Sequence, residues 1–159
     1  MTTQTSDPAV HSTFVLERSY PQPPARVFEA FALPAHKRRW YAEGDHEIQE
    51  YELDFRVGGS ERFRYAFKPG HPIAGSQIAN ESTYHDILPG KRIVFTQCMA
   101  LNGKPIQIML ATLEFQPAGG GTTLTFTHQG TFIDWQGGVE MIEAGWRALF
   151  DRLAVHLAQ

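Results

Sequence analysis

Cys98 is the single cysteine in a chain of 159 residues, so no disulfide can form within it and a reducing compartment suits it. Positive charge is not in excess: 14 Lys and Arg stand against 17 Asp and Glu, a formal net charge of −3. A nucleic-acid binder needs a basic field to neutralise phosphates, and this chain has none, so nucleic acid is not an expected partner. No run approaches the roughly 18 consecutive apolar residues of a membrane-spanning helix, so no transmembrane segment is expected. Met1-Thr2-Thr3-Gln4-Thr5-Ser6-Asp7-Pro8 lacks the basic and apolar regions of a secretion signal, so a cytoplasmic location is expected. Metal chemistry also lacks its signatures. There is no His-Glu-x-x-His and no cysteine pair, and His36, His46, His71, His85 and His128 are scattered, so neither a metal nor another cofactor is expected.

Aromatic residues, by contrast, are plentiful: eleven Phe, five Tyr and three Trp. A chain of this length buries roughly 70% of its unfolded surface, enough for a single core. The question is whether so many large flat groups only fill that core or also line a space within it.

Residues 1–11 are polar without periodicity and read as a disordered tail, leaving one domain over 12–159. Residues 13–20 are rich in β-branched and aromatic types and predict a strand, stopped by Pro21, Pro23 and Pro24. Pro24 suits a first helical turn, and Val27, Phe28 and Phe31 give a short helix its apolar stripe. Pro34 opens a second helical stretch carrying His36, Lys37, Arg38, Arg39 and Trp40, whose three consecutive basic residues read as a solvated face. Period-two alternation then predicts strands over 47–51, 53–57, 61–67, 77–88, 92–99, 106–116 and 122–129. Turn signals at Gly58-Gly59, Pro89-Gly90, Asn102-Gly103 and Gly119-Gly120-Gly121 separate several of them. From Gly138 to Leu157 the apolar positions fall at threes and fours, an amphipathic helix of about 30 Å. The expected class is α+β: an antiparallel sheet with one long helix across it.

Strand parity sorts side chains by face. It groups Leu124, Phe126 and His128; Phe63, Tyr65 and Phe67; Ile93, Phe95, Gln97 and Met99; Met109, Ala111, Leu113 and Phe115; and Glu81, Thr83, His85 and Ile87. Polar groups on an apolar face require partners, because an unpaired buried one costs on the order of 1–3 kcal/mol. An aromatic surface with a few convergent polar groups is how a small-molecule pocket is built. The candidate ligand-contacting set is therefore Trp40, Tyr65, Phe67, Glu81, His85, Phe95, Gln97, Met109, Phe126, His128, Trp146 and Phe150. For each aromatic taken singly, the competing expectation is plain core packing.

Four segments carry a family resemblance: Leu53-Asp54-Phe55-Arg56-Val57-Gly58-Gly59 with Phe63-Arg64-Tyr65; the run from Ile87 to Thr96; the run from Gly119 to Gly130; and the run from Gly145 to Ala154. Together they resemble the bacterial homologues of the C-terminal domain of the heat-shock protein 90 ATPase activator. That family lies within the START-like superfamily, which also holds polyketide cyclases and birch-pollen-allergen-like proteins. The resemblance implies a helix-grip fold: a curved antiparallel β-sheet wrapped around a long C-terminal α-helix, two short helices after the first strand, and a cavity between sheet and helix. Where many relatives place a tryptophan, this chain has Gln97, which implies a more polar or larger cavity there.

Three functions follow as expectations. The first is a binding module for a small hydrophobic or aromatic molecule. The second is a cyclase- or hydrolase-type enzyme using His128 or His85 as general acid or base, with Glu81 or Tyr65 beside it. The third, suggested by the family's name alone, is a chaperone partner. Association into a homodimer stays open.

Overall fold

The computed structural model describes residues 8–159. Its elements run β1 (Val10–Tyr20), α1 (Pro24–Ala32), α2 (Pro34–Lys37) continuing into a π-helical segment (Arg38–Ala42), β2 (Glu47–Leu53), β3 (Ser60–Ala66), β4 (Gln77–Leu88), β5 (Arg92–Leu101), β6 (Lys104–Ala118), β7 (Gly121–Phe132) and α3 (Gly138–Leu157). The seven strands form one antiparallel sheet ordered β1-β7-β6-β5-β4-β3-β2. The sheet curves around α3, giving the α+β helix-grip architecture. Most of the tail expected over residues 1–11 lies outside the described residues, and β1 begins at Val10.

Most elements form where local chemistry directs them. α1 starts with Pro at its first turn and buries Val27, Phe28, Ala30 and Phe31 on one stripe. α3 buries Ile142, Trp146, Phe150, Leu153 and Leu157 at spacings of three and four. The Asn102-Gly103 pair turns β5 into β6 with both residues at positive φ, 49° and 83°. One expected strand is absent. Residues 53–57 leave the sheet after Leu53, because Arg56 N–H bonds Asp54 O and Gly59 N–H bonds Arg56 O, which closes a tight loop instead of a ladder.

Two further expectations are corrected. On β4 the inward residues are Ile78, Asn80, Ser82 and Tyr84, while Glu81, Thr83 and His85 face solvent. The register shifts between Tyr84 and Asp86. That bulge reverses the alternation, so Tyr84 and Ile87 both reach the core although their parities differ. Lys37 is not on a solvated face. It is 4% exposed, and its Nζ lies 2.7 Å from Glu61 Oε1, itself 2% exposed. Tyr51 O–H donates to the other carboxylate oxygen at 2.7 Å, Tyr84 OH lies 3.4 Å from the ammonium, and the Tyr41 ring lies beneath it at 4.6 Å. Burial, with Glu61 next in weight, holds the Tyr51 and Tyr84 phenols far above their ordinary range, so both stay protonated.

Candidate functional site

A cavity of about 430 Å³ opens between α3 and the inner faces of β3, β4, β5 and the start of β6, within the range of small-molecule sites. Its sheet wall is built from Phe63, Tyr65, Ile78, Asn80, Gln97, Met99 and Gln107, and its helix wall from Met141, Ile142, Gly145, Trp146, Leu149 and Arg152. Tyr41, from the π-helical segment, and Trp135, from the β7–α3 loop, complete it with His46, Phe67 and Asp134.

Two glycines of α3 shape the space. A Cβ on Gly138 would come within 2.6 Å of the Trp135 ring, so only glycine lets that indole lie across the start of the helix. Gly145 is the reverse case: a Cβ there would meet nothing within 4 Å. A mid-helix glycine costs roughly 0.5–1 kcal/mol against alanine, and here it leaves the helix wall open.

The polar groups of the wall are only partly paired. Gln97 Nε2 donates to Tyr41 OH at 3.2 Å and to Ser82 Oγ at 3.1 Å, fixing Tyr41 against the sheet. Burial and the nearby Glu61 carboxylate raise the Tyr41 phenol far above its usual value, and burial pushes Tyr65 up to about 12, so both remain neutral phenols. Asn80 is 6% exposed, and its Oδ1 has no hydrogen-bond partner. Its amide also hydrogen-bonds the Tyr41 phenol, and with the amide's O and N exchanged the Tyr41 hydroxyl would be the donor to that oxygen.

Of the residues singled out from sequence, Tyr65, Phe67, Gln97 and Trp146 come together on this wall. Phe95, Met109, Phe126 and Phe150 are sealed in the core beside it, with Phe126 packed 4.6 Å from Trp146 and 5.2 Å from Phe150. Trp40 is also sealed, its Nε1–H held by Ala30 O at 2.9 Å. Glu81 lies outside, near Arg62 and Arg64, and His85 lies outside against Thr96. His128 is fully buried one layer behind the wall, stacked on Phe14 at 4.4 Å and bonded to Gln107 at 2.8 Å. Burial pushes its pKa down to about 4, so at neutral pH it holds no extra proton to donate. The two histidines do not meet, and neither lines the cavity.

Parity reasoning missed Asn80 and Gln107, although Gln107 is one step back along the Met109–Phe115 row. Tyr41, His46, Trp135 and Arg152 come from outside the strands, and only the folded chain assembles them.

A family model described as Activator of Hsp90 ATPase homolog 1-like protein matches residues 21–158. The chain belongs to this family. Among solved structures, a Rhizobium loti protein is 41% identical, with the match covering 94% of this chain and 99% of that one at a TM-score of 0.85. A Rhizobium leguminosarum protein is 35% identical over 95% and 97% of the two chains at a TM-score of 0.86. A Chromobacterium violaceum protein is 26% identical over 92% and 97% at 0.76. No curated protein matches. The family belongs to the START-like superfamily, and membership supports a small-ligand-binding domain in general. No helix among the described residues is long and apolar enough to cross a membrane.

Proposed function

We propose that the protein is a binding module that encloses a small, largely apolar molecule between the sheet and α3. The observation carrying this reading is the cavity of about 430 Å³, walled by aromatic rings and left open by Gly145. The cavity is reached from solvent on the side where Ile73, Met141 and Gly145 are exposed, so a small molecule has a way in. Binding is favoured over the acid–base catalysis expected of His85 or His128, because His85 faces solvent and His128 is sealed and neutral. The single, half-buried Cys98 supports a cytoplasmic setting.

Native mass spectrometry of freshly purified protein, followed by a thermal-shift screen of hydrophobic metabolites, tests the reading. A ligand at a hundred times its Kd should stabilise the fold by about 2.7 kcal/mol. It should also change the emission of Trp135 and Trp146, which line the cavity, more than that of the sealed Trp40. Gly145→Phe, which pushes a ring into the open space, should abolish both effects. Ligand-induced stabilisation that survives in Gly145→Phe would refute the cavity as the site.

A further inference from the structure

Resting on the reading of the cavity as a ligand site, the charges around it narrow the ligand's chemistry. Arg152 is the one Lys or Arg on the wall. It is half-buried on α3, and its Nη2 donates to the backbone carbonyl of Arg39 at 3.3 Å. Elsewhere Arg18, Arg38, Arg56, Arg62, Arg64, Arg92 and Arg147 each stand beside an Asp or Glu. Among the described residues no carboxylate pairs with Arg152. The acid on the wall is already compensated, since Asp134 pairs with Lys104 at 3.2 Å. Arg26 and Arg39 also lack a carboxylate among the described residues, but neither lines the cavity. Arg152 is the unpaired positive charge that stands beside the apolar space, half-exposed and open to an anion.

The surroundings of Arg152 are shaped to leave it accessible. A Cβ on Gly44 would lie 3.0 Å from His46 Cε1 and 3.2 Å from Arg152 Nη1, so the missing side chain keeps a gap between imidazole and guanidinium. His46 Nε2 must carry a proton, because its partner at 2.6 Å is the carbonyl of Ala42, and Nδ1 is then left to the gap. One guanidinium balances one charge, and its planar fork matches a carboxylate.

We propose that the ligand is an amphipathic carboxylic acid. Its carboxylate sits on Arg152, its apolar body lies against Tyr65, Trp135 and Trp146, and any polar group it turns towards His46 Nδ1 is a hydroxyl or N–H donor.

The test uses 1-naphthylacetic acid and 1-naphthylacetamide, which share a shape and differ in charge. Each is titrated calorimetrically into the wild type, Arg152→Gln and Arg152→Lys. The wild type should bind the acid about tenfold or more tightly than the amide, as expected for hydrogen bonds to a charged group. Arg152→Gln should bring that ratio to about one while moving the amide affinity less than about threefold, and Arg152→Lys should keep part of the preference. Arg152 makes no ion pair, so Arg152→Gln should unfold at close to the wild-type temperature, separating a lost contact from a lost fold. Equal wild-type affinity for acid and amide overturns the proposal and leaves a cavity for neutral ligands. An acid preference that persists in Arg152→Gln also overturns it. Failure of both probes to bind overturns the cavity reading and this proposal together.

Discussion

Two polar regions meet at Tyr41, and they are finished differently. On one side of the ring, Lys37 and Glu61 are buried with Tyr51 and Tyr84 around them, and the charges answer one another within hydrogen-bond distance. On the other side, the cavity wall holds Arg152, which has no carboxylate partner among the described residues. The closed cluster needs nothing from outside, whereas the open charge on the cavity side is the one the proposed ligand carboxylate would meet. The closed cluster also fastens α2 to β3, and so holds Tyr41 where it can serve as the partition.

Breaking the closed side should have the largest effect. Lys37→Met leaves the Glu61 carboxylate buried and uncompensated, which should lower stability by about 3–5 kcal/mol in urea unfolding. Lys37→Met combined with Glu61→Leu should recover a large part of that loss, because an apolar replacement of the pair removes both charges. A single-variant loss under about 1 kcal/mol would mean the cluster is not closed in solution.

The acid limb of stability comes next. His128 titrates near 4 in the fold and near 6.5 in an unfolded chain, so between these values the unfolded state binds more protons. The stability His128 contributes is fully present above about pH 6.5 and is lost as pH falls towards 4, by at most ~3 kcal/mol. Urea midpoints across this window should fall with pH. His128→Gln should flatten the slope, leaving the part due to His156, which burial also holds below its ordinary value.

A smaller effect sharpens the open side. Gly145→Ala should stabilise the ligand-free protein by roughly 0.5–1 kcal/mol, since its methyl meets nothing and the helix gains propensity. Destabilisation in thermal melts would show that the space at Gly145 is filled. Smallest of all, His85→Gln should stay within about ±0.5 kcal/mol and leave ligand binding unchanged, because the side chain lies outside the sheet.

The fold was largely legible in the sequence because its determinants are local. Alternation marked most of the strands, Asn102-Gly103 a hairpin, and three-and-four spacing the whole of α3. The site was legible only in part, and for a physical reason. Parity tells which face a residue occupies, but not whether α3 lies tightly on it or stands away. Phe126 and Tyr65 both face inward, yet one is sealed beneath Trp146 and Phe150 and the other lines the cavity. On β4 the bulge after Tyr84 made Ile87 a false guide to the rest of the strand, which placed Glu81 and His85 inside and Asn80 outside. Glu61 shares parity with Phe63 and Tyr65 and could have been found that way. The partnership of Lys37 with it, and the unpaired state of Arg152, depend on distances that no spacing rule supplies.

The π-helical segment Arg38–Ala42 also works as a phase setter. Its wider turn sets the direction in which the side chains within it leave the backbone, so Trp40 reaches Ala30 and Tyr41 reaches the cavity just after Lys37 has reached Glu61. Winding the same residues as an ordinary α-helix, with none removed, would rotate everything downstream by about 100°. Tyr41 would swing out of the wall, and the boundary between the closed cluster and the cavity would be gone. The wide turn of this segment therefore shapes the cavity through the backbone, at a distance from the side chains that line it.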